Sequence, residues 1–181
     1  MLRPLYILVF KLLGWKIEGD FPRDVRKYIV AVAPHTSNWD FPLGVMARSI
    51  MKMKHSKFLG KESLFKPPFG WIFRMLGGYP VDRFSSHDVV HQAIDIFNSH
   101  ENFILALAPE GTRKKVEKLR TGFYYIAKGA NVPIVPVGFD FSTKTIVIGR
   151  PLVPTDHFEE DMSVLLTFYR KMKGKNPELG L

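Results

Sequence analysis

The chain has 181 residues, 46% of them hydrophobic and 24% charged, with a net charge of +9 and no cysteine. That length and composition fit one folded domain with a sizeable core and exclude a disordered or fibrous chain. The missing cysteines exclude disulfides, thiolate catalysis and Cys-ligated zinc, while the excess of cations points to an anionic partner: nucleic acid, an anionic membrane surface or an acidic substrate carrier.

The chain opens with MLRPLYILVFKLLGWKI, whose unbroken apolar run, Pro4 to Phe10, is too short to span a bilayer. No small-residue cleavage site follows, so a cleaved signal peptide is not expected. On a helical wheel at about 100° per residue, Arg3, Lys11 and Gly14 share a sector of roughly 80°, interrupted by Ile7. The rest of the wheel is Leu, Val, Phe, Tyr and Trp. The segment reads either as a helix lying on a membrane surface or as one packed on the domain's own core.

YIVAVAP, 28–34, is β-branched and short, and reads as a buried strand. Residues 39–54 read as a helix with Pro42 in its first turn. Residues 57–60 and 79–81 read as short strands. Between them, 63–78 is apolar and aromatic, broken at Pro67-Pro68 and closed by Gly77-Gly78. Residues 85–100 carry Val89, Val90, Ala93, Ile94 and Phe97 at helical spacing behind a Ser/Asp-rich start. FILALAP, 103–109, reads as a second buried strand, and 121–130 as a short helix. Strands at 132–141 and 144–150 are joined by a tight turn. A final helix over 155–173 has acids first and bases last, matching its dipole. The tail GKNPELGL reads as loose.

Strands alternating with helices predict an α/β fold with helices on both faces of the sheet. The closing strand pair is too tightly connected to be parallel, so the expected sheet is mixed and mostly parallel. The division that follows is a membrane-associating amphipathic helix over 1–17, one domain over 18–174 and a loose tail over 175–181.

Four blocks carry residues with chemistry. In APHTSNWDF, 33–41, His35 follows the first buried strand and Asp40 comes five residues later. On one continuous helix they would diverge by about 140°. A strand–turn–helix changes this: Ser37 or Asn38 caps the helix, Asp40 sits in its first turn, and a tight turn folds the carboxylate back onto the imidazole. The alternative is a histidine that merely helps the turn. APEGTR, 108–113, follows the second buried strand. Gly111 permits close backbone approach, Arg113 can fork onto a phosphate, and Glu110 can orient Arg113 or a substrate hydroxyl. A loop ion pair would also explain it. GGYPVDR, 77–83, offers Arg83 as a second phosphate contact or as a surface partner of Asp82. VPIVPVG, 132–138, has no chemistry of its own; its two prolines suggest an edge or bulged strand that could wall an apolar pocket. His87 and His91 stand i,i+4 on a helix without a third ligand, and no metal site is expected.

In this order, H-x4-D at 35–40, the block ending in Asp82-Arg83, P-E-G-T-R at 109–113 and V-P-I-V-P at 132–136 resemble the glycerolipid acyltransferase family. Its best-known members are 1-acylglycerol-3-phosphate acyltransferases. The resemblance implies transfer of a fatty acyl group from a thioester to a hydroxyl, with His35 as general base and Asp40 orienting it. It implies that Arg83, Glu110, Gly111, Thr112 and Arg113 bind the acceptor, and that Val132, Pro133, Ile134, Val135 and Pro136 wall the acyl site. The donor is acyl-CoA or acyl carrier protein as co-substrate, with no bound cofactor and no metal. Pro34, Ala108 and Lys114 depart from common family residues, and HTSNWD looks like a compact bacterial branch. The departures leave open a lyso amino-acid lipid as acceptor. The same dyad would also serve a thioesterase or lipid hydrolase.

A lipid product brings in the membrane. The expected location is peripheral, on the cytoplasmic face, through the N-terminal segment and the stretch around Phe65, Phe69, Trp71 and Phe73. Lys52, Lys54, Lys57, Lys61 and Lys66 lie between them to meet anionic headgroups. Nucleic acid is not an expected partner, because the aromatics sit in apolar runs rather than interleaved with Lys and Arg.

Overall fold

The computed structural model describes residues 2–81 and 86–180. Helix α1 (Arg3–Leu12) precedes strands β1 (Lys16–Glu18) and β2 (Lys27–Ala33), then helix α2 (Asp40–Ile50) and strand β3 (Ser56–Lys61). A short helix α3 (Gly70–Met75), strand β4 (Gly78–Val81), helix α4 (Ser86–Ser99) and strand β5 (Phe103–Leu107) follow. Helix α5 (Gly122–Gly129), strands β6 (Ile134–Asp140) and β7 (Thr145–Ile148) and helix α6 (Phe158–Tyr169) complete the fold. The seven strands form one sheet in the order β1-β7-β6-β2-β5-β3-β4. Among the described ladders only β6–β7 is antiparallel, so the sheet is the mixed, mostly parallel one expected.

The period of two along β2 divides its side chains between two cores. Ile29, Ala31 and Ala33 face α4, α5 and α6, packing with Phe97, Phe123, Tyr124 and Leu165. Tyr28 and Val30 face α1 and α2, packing with Phe10 and Leu43. Tyr169 ties α6 to the central strand: its hydroxyl donates to the Ala31 carbonyl at 2.7 Å.

Helix α1 packs on the domain's own core through Phe10, which is buried against the sheet, and keeps Leu5, Leu8 and Leu12, with Leu2 at its N-cap, exposed on its outer side. Lys16–Glu18, placed by the sequence division at the junction of the first segment and the domain, is an edge strand that pairs with Thr145–Val147. Strand β6 is interior rather than at an edge, flanked by β2 and β7. Its one proline, Pro136, lies opposite a bulge in the returning chain. The pairing Val137↔Ile148 gives way to Ile134↔Leu152, with one more residue on the returning chain than on β6. Pro136 contributes its carbonyl there, accepting from the Gly149 N–H at 2.8 Å.

In the aromatic stretch, Phe69 and Trp71 are exposed, but Phe65 belongs to the interior. Gly60, Gly70 and Gly78 leave room for it: a Cβ on any of the three would lie within 3 Å of a Phe65 atom.

Candidate active site

Strands β2 and β5 are parallel neighbours, with Ala31 opposite Leu107. Their carboxyl ends therefore open on the same edge of the sheet. From β2 the chain exits to α2 on one face, and from β5 it exits towards α5 on the other. Connections that diverge in this way leave a crevice between the strands, the usual ligand position in an open α/β sheet. The blocks 33–41 and 108–113 meet at that crevice. The Ala33–Pro34 bond is cis.

His35 is the first residue past the Pro34 that follows β2, and its Nδ1 lies 3.0 Å from Asp40 Oδ2. The same carboxylate oxygen accepts the Ser37 N–H at 2.9 Å, which closes the turn that delivers Asp40 to the ring. Asp40 is only 3% exposed and begins α2, where the positive end of the helix dipole favours its charge. Neither Ser37 nor Asn38 caps α2. The N-cap is Trp39, without a side-chain cap, and the Ser37 hydroxyl instead accepts the Trp39 N–H at 3.2 Å. An imidazole Nδ1 held by a carboxylate carries its proton there, so Nε2 presents a lone pair.

Glu110, expected from sequence to orient Arg113 or a substrate hydroxyl, faces inward. It is 1% exposed, and its Oε2 accepts the backbone N–H of His35 at 3.0 Å. Glu110 Oε1 and Asp40 Oδ1 are buried without a hydrogen-bond partner among the described residues. Burial pushes the Glu110 carboxyl up from its ordinary range; the His35 N–H and ring pull it down, and the Asp40 charge adds to the rise. Burial likewise raises the Tyr169 phenol, with Glu110 adding to the effect. Two carboxylates thus hold the one histidine, Asp40 by its ring and Glu110 by its backbone.

Gly111 is in the left-handed region at φ +65, and a Cβ there would lie 2.6 Å from Arg120 Nε. Arg120 also donates its backbone N–H to the Pro109 carbonyl at 2.9 Å. Loop 109–120 therefore closes on itself, and Arg120, which nothing in the sequence spacing singled out, lies where a side chain on Gly111 would go, with both residues exposed. Arg113 is exposed beside it. The Thr112 hydroxyl accepts the Lys114 N–H at 3.2 Å. Arg83 lies outside the described residues. Val132 and Ile134 pack in the core beneath α4, α5 and α6, and Val135 packs in the opposite core. Pro133 and Pro136 flank them on the same run of chain. No group of three or more His, Cys, Asp or Glu among the described residues is placed to hold a metal ion.

The molecule is an α/β protein with a mixed, mostly parallel sheet and, at the carboxyl ends of its parallel strands, a histidine ring nitrogen held by a buried carboxylate, a pairing able to take up a proton. Residues 16–140 match the family model described as Acyltransferase, and the chain belongs to that family. The chain is 32% identical over 138 residues to the 1-acyl-sn-glycerol-3-phosphate acyltransferase of Streptococcus pneumoniae, covering 71% of this chain and 50% of that protein. It is 29% identical over 147 residues to the Escherichia coli protein of the same name, covering 77% and 58%. The chain thus spans little more than half the length of these curated relatives. Its fold superposes on the crystal structure of the 1-acyl-sn-glycerophosphate (LPA) acyltransferase, PlsC, from Thermotoga maritima, with a TM-score of 0.66 and 25% identity over 94% of this chain and 76% of that one.

Proposed function

We propose that the protein transfers a fatty acyl group from an acyl thioester to the free hydroxyl of a lysophospholipid such as 1-acylglycerol-3-phosphate. The observation that carries this reading is the His35–Asp40 pair at the carboxyl edge of β2, inside the region matched by the family. His35 Nε2 takes the proton of the acceptor hydroxyl as that oxygen attacks the thioester carbonyl. The tetrahedral intermediate collapses, the carbon–sulfur bond breaks, and the imidazolium returns the proton to the leaving thiolate. The products are an ester and a free thiol, and no acyl-enzyme is needed. The donor is acyl-CoA or acyl carrier protein; both are anionic, and the net charge of +9 attracts either. Arg113 and Arg83 are the proposed contacts for the acceptor phosphate, with Gly111 and Thr112 shaping the loop that presents Arg113.

The test is to supply purified protein with acyl-CoA, acyl carrier protein thioester and a panel of lyso-lipids, reading products by mass. The expected product is the diacyl lipid. Release of free fatty acid at the same rate without acceptor overturns the transferase reading in favour of a thioesterase.

The proposed location is the cytoplasmic membrane surface, peripherally bound. No helix among the described residues is long and apolar enough to cross a membrane. Helix α1 lays Leu2, Leu5, Leu8 and Leu12 outward while Phe10 anchors it inward, the arrangement of a helix bedded in the lipid interface. Leu64, Phe69, Trp71 and Met75 form a second exposed apolar group. Burying one leucine is worth about 1.5–3 kcal/mol. Leu5→Asp combined with Leu8→Asp is therefore expected to weaken binding to anionic vesicles by about a hundredfold or more, read by co-sedimentation. Undiminished sedimentation rules α1 out as the anchor.

A further inference from the structure

Helix α6 stops at Tyr169, short of the expected 173, and the chain after it, expected to be loose from residue 174, turns back across the carboxyl edge of the sheet and straps the catalytic turn. It is first pinned beside β6: a Cβ on Gly138 would lie 2.5 Å from Met172 Cγ. The Lys173 carbonyl accepts from the Phe141 N–H at 2.8 Å, and its N–H donates to Asp140 at 3.3 Å. The next three residues each meet the 34–39 turn. Gly174 is buried, and a Cβ there would come within 2.5 Å of Thr36 Oγ1 and 3.3 Å of Pro34 Cγ. The Lys175 ammonium sits 4.8 Å from the centre of the Trp39 ring. Asn176 grips Thr36 twice, its backbone N–H donating to Oγ1 at 3.2 Å and its Nδ2 to the carbonyl at 2.8 Å.

We propose that the strap Gly174–Asn176 is a positioning element of the active site, setting the aim of His35 through Thr36. His35 has one backbone neighbour held from each side. Its own N–H is taken by Glu110, and the carbonyl of the next residue is taken by Asn176. Thr36 is 2% exposed, so that carbonyl and hydroxyl have little access to water as a substitute partner. The strap lies beyond residues 16–140, the part matched by the family. The proposal builds on the reading of His35 as the base. Small displacements of a catalytic group reduce turnover without touching substrate binding.

The test compares Asn176→Ala and Asn176→Asp with the wild type. Both remove the donor to the Thr36 carbonyl, and Asp keeps the size of the side chain. The expected result is a fall in kcat of about ten- to a hundredfold with KM for donor and acceptor little changed, the active fraction intact and the thermal midpoint lowered only by the few degrees that one lost buried hydrogen bond costs. A structural role alone would lower the active fraction while leaving kcat per active molecule unchanged, and that result overturns the proposal. A second readout needs no turnover: the Nδ1–H resonance of His35 in histidine-labelled protein. It is expected to shift or broaden in both variants while the other histidine signals stay in place. If the wild type proves inactive towards lyso-lipids and the resonance still moves, the functional reading falls and the strap's role stands. If the wild type is active and neither kcat nor the resonance responds, the strap's role falls alone.

Discussion

His35→Ala is expected to lower the rate of ester formation by on the order of 10³, within the 10²–10⁴ that a positioned general base contributes. The fold is expected to survive. The ring is partly exposed at the end of β2, and its removal leaves the Ser37 N–H still bonded to Asp40 and the residue-35 N–H still bonded to Glu110. Circular dichroism and the denaturation midpoint check that the loss is chemical. Asp40→Asn has a comparable effect on rate by a different route. The amide can turn its NH₂ towards Nδ1, which favours the tautomer with the proton on Nε2 and removes the lone pair that takes the acceptor's proton. The two losses do not add, because both remove one function; the double variant is expected to match the worse single variant. Measured ester formation in His35→Ala near the wild-type rate would refute the base assignment.

The dyad was legible because both partners lie within one turn, so local rules decide their geometry. A strand ending at Ala33, a helix starting at Asp40 and a short connection leave the carboxylate little choice but to meet the ring. The same locality made β2 readable as a short β-branched buried strand and the helical spacing of Val90, Ala93 and Phe97 readable as α4. What was missed is non-local. Lys16–Glu18 is too short to show a period and becomes a strand only because β7 offers an edge. Phe65 cannot be told from Phe69 by pattern in a stretch where almost every residue is apolar. The glycines at 60 and 78 that make room for its ring, and Gly70 that lies against its backbone, come from different turns of the chain. The strap's contact with Thr36 spans 140 residues, and its small polar residues carry only the signature of a loop. Glu110 shows the same limit inside a motif: its neighbour in sequence is Arg113, whereas its partner is the backbone of His35, 75 residues away.

That reorientation of Glu110 has a large expected consequence. Glu110→Ala leaves the His35 N–H unpaired in the interior, about 1–3 kcal/mol, and opens a void where the side chain had packed, so the total loss is about 2–4 kcal/mol of folding stability. Glu110→Gln is expected to cost about 1 kcal/mol or less. Its amide oxygen can accept the His35 N–H, and its side chain keeps the volume that Glu110 fills. The pH dependence separates the charge from the shape. Burial raises the Glu110 carboxyl in the folded state, so the fold binds this proton more tightly than the unfolded chain does. The stability it contributes is present at low pH and is lost as pH rises through the folded-state value. Gln cannot ionise, so the Gln variant gains on the wild type as pH climbs through that window, measured by denaturant titration across a pH series. A stability gap that stays constant with pH would show that Glu110 ionises no differently in the fold. The kinetics discriminate its role: a residue that holds the base by its backbone leaves KM for the acceptor nearly unchanged in Glu110→Gln, whereas a ligand of the acceptor hydroxyl raises it.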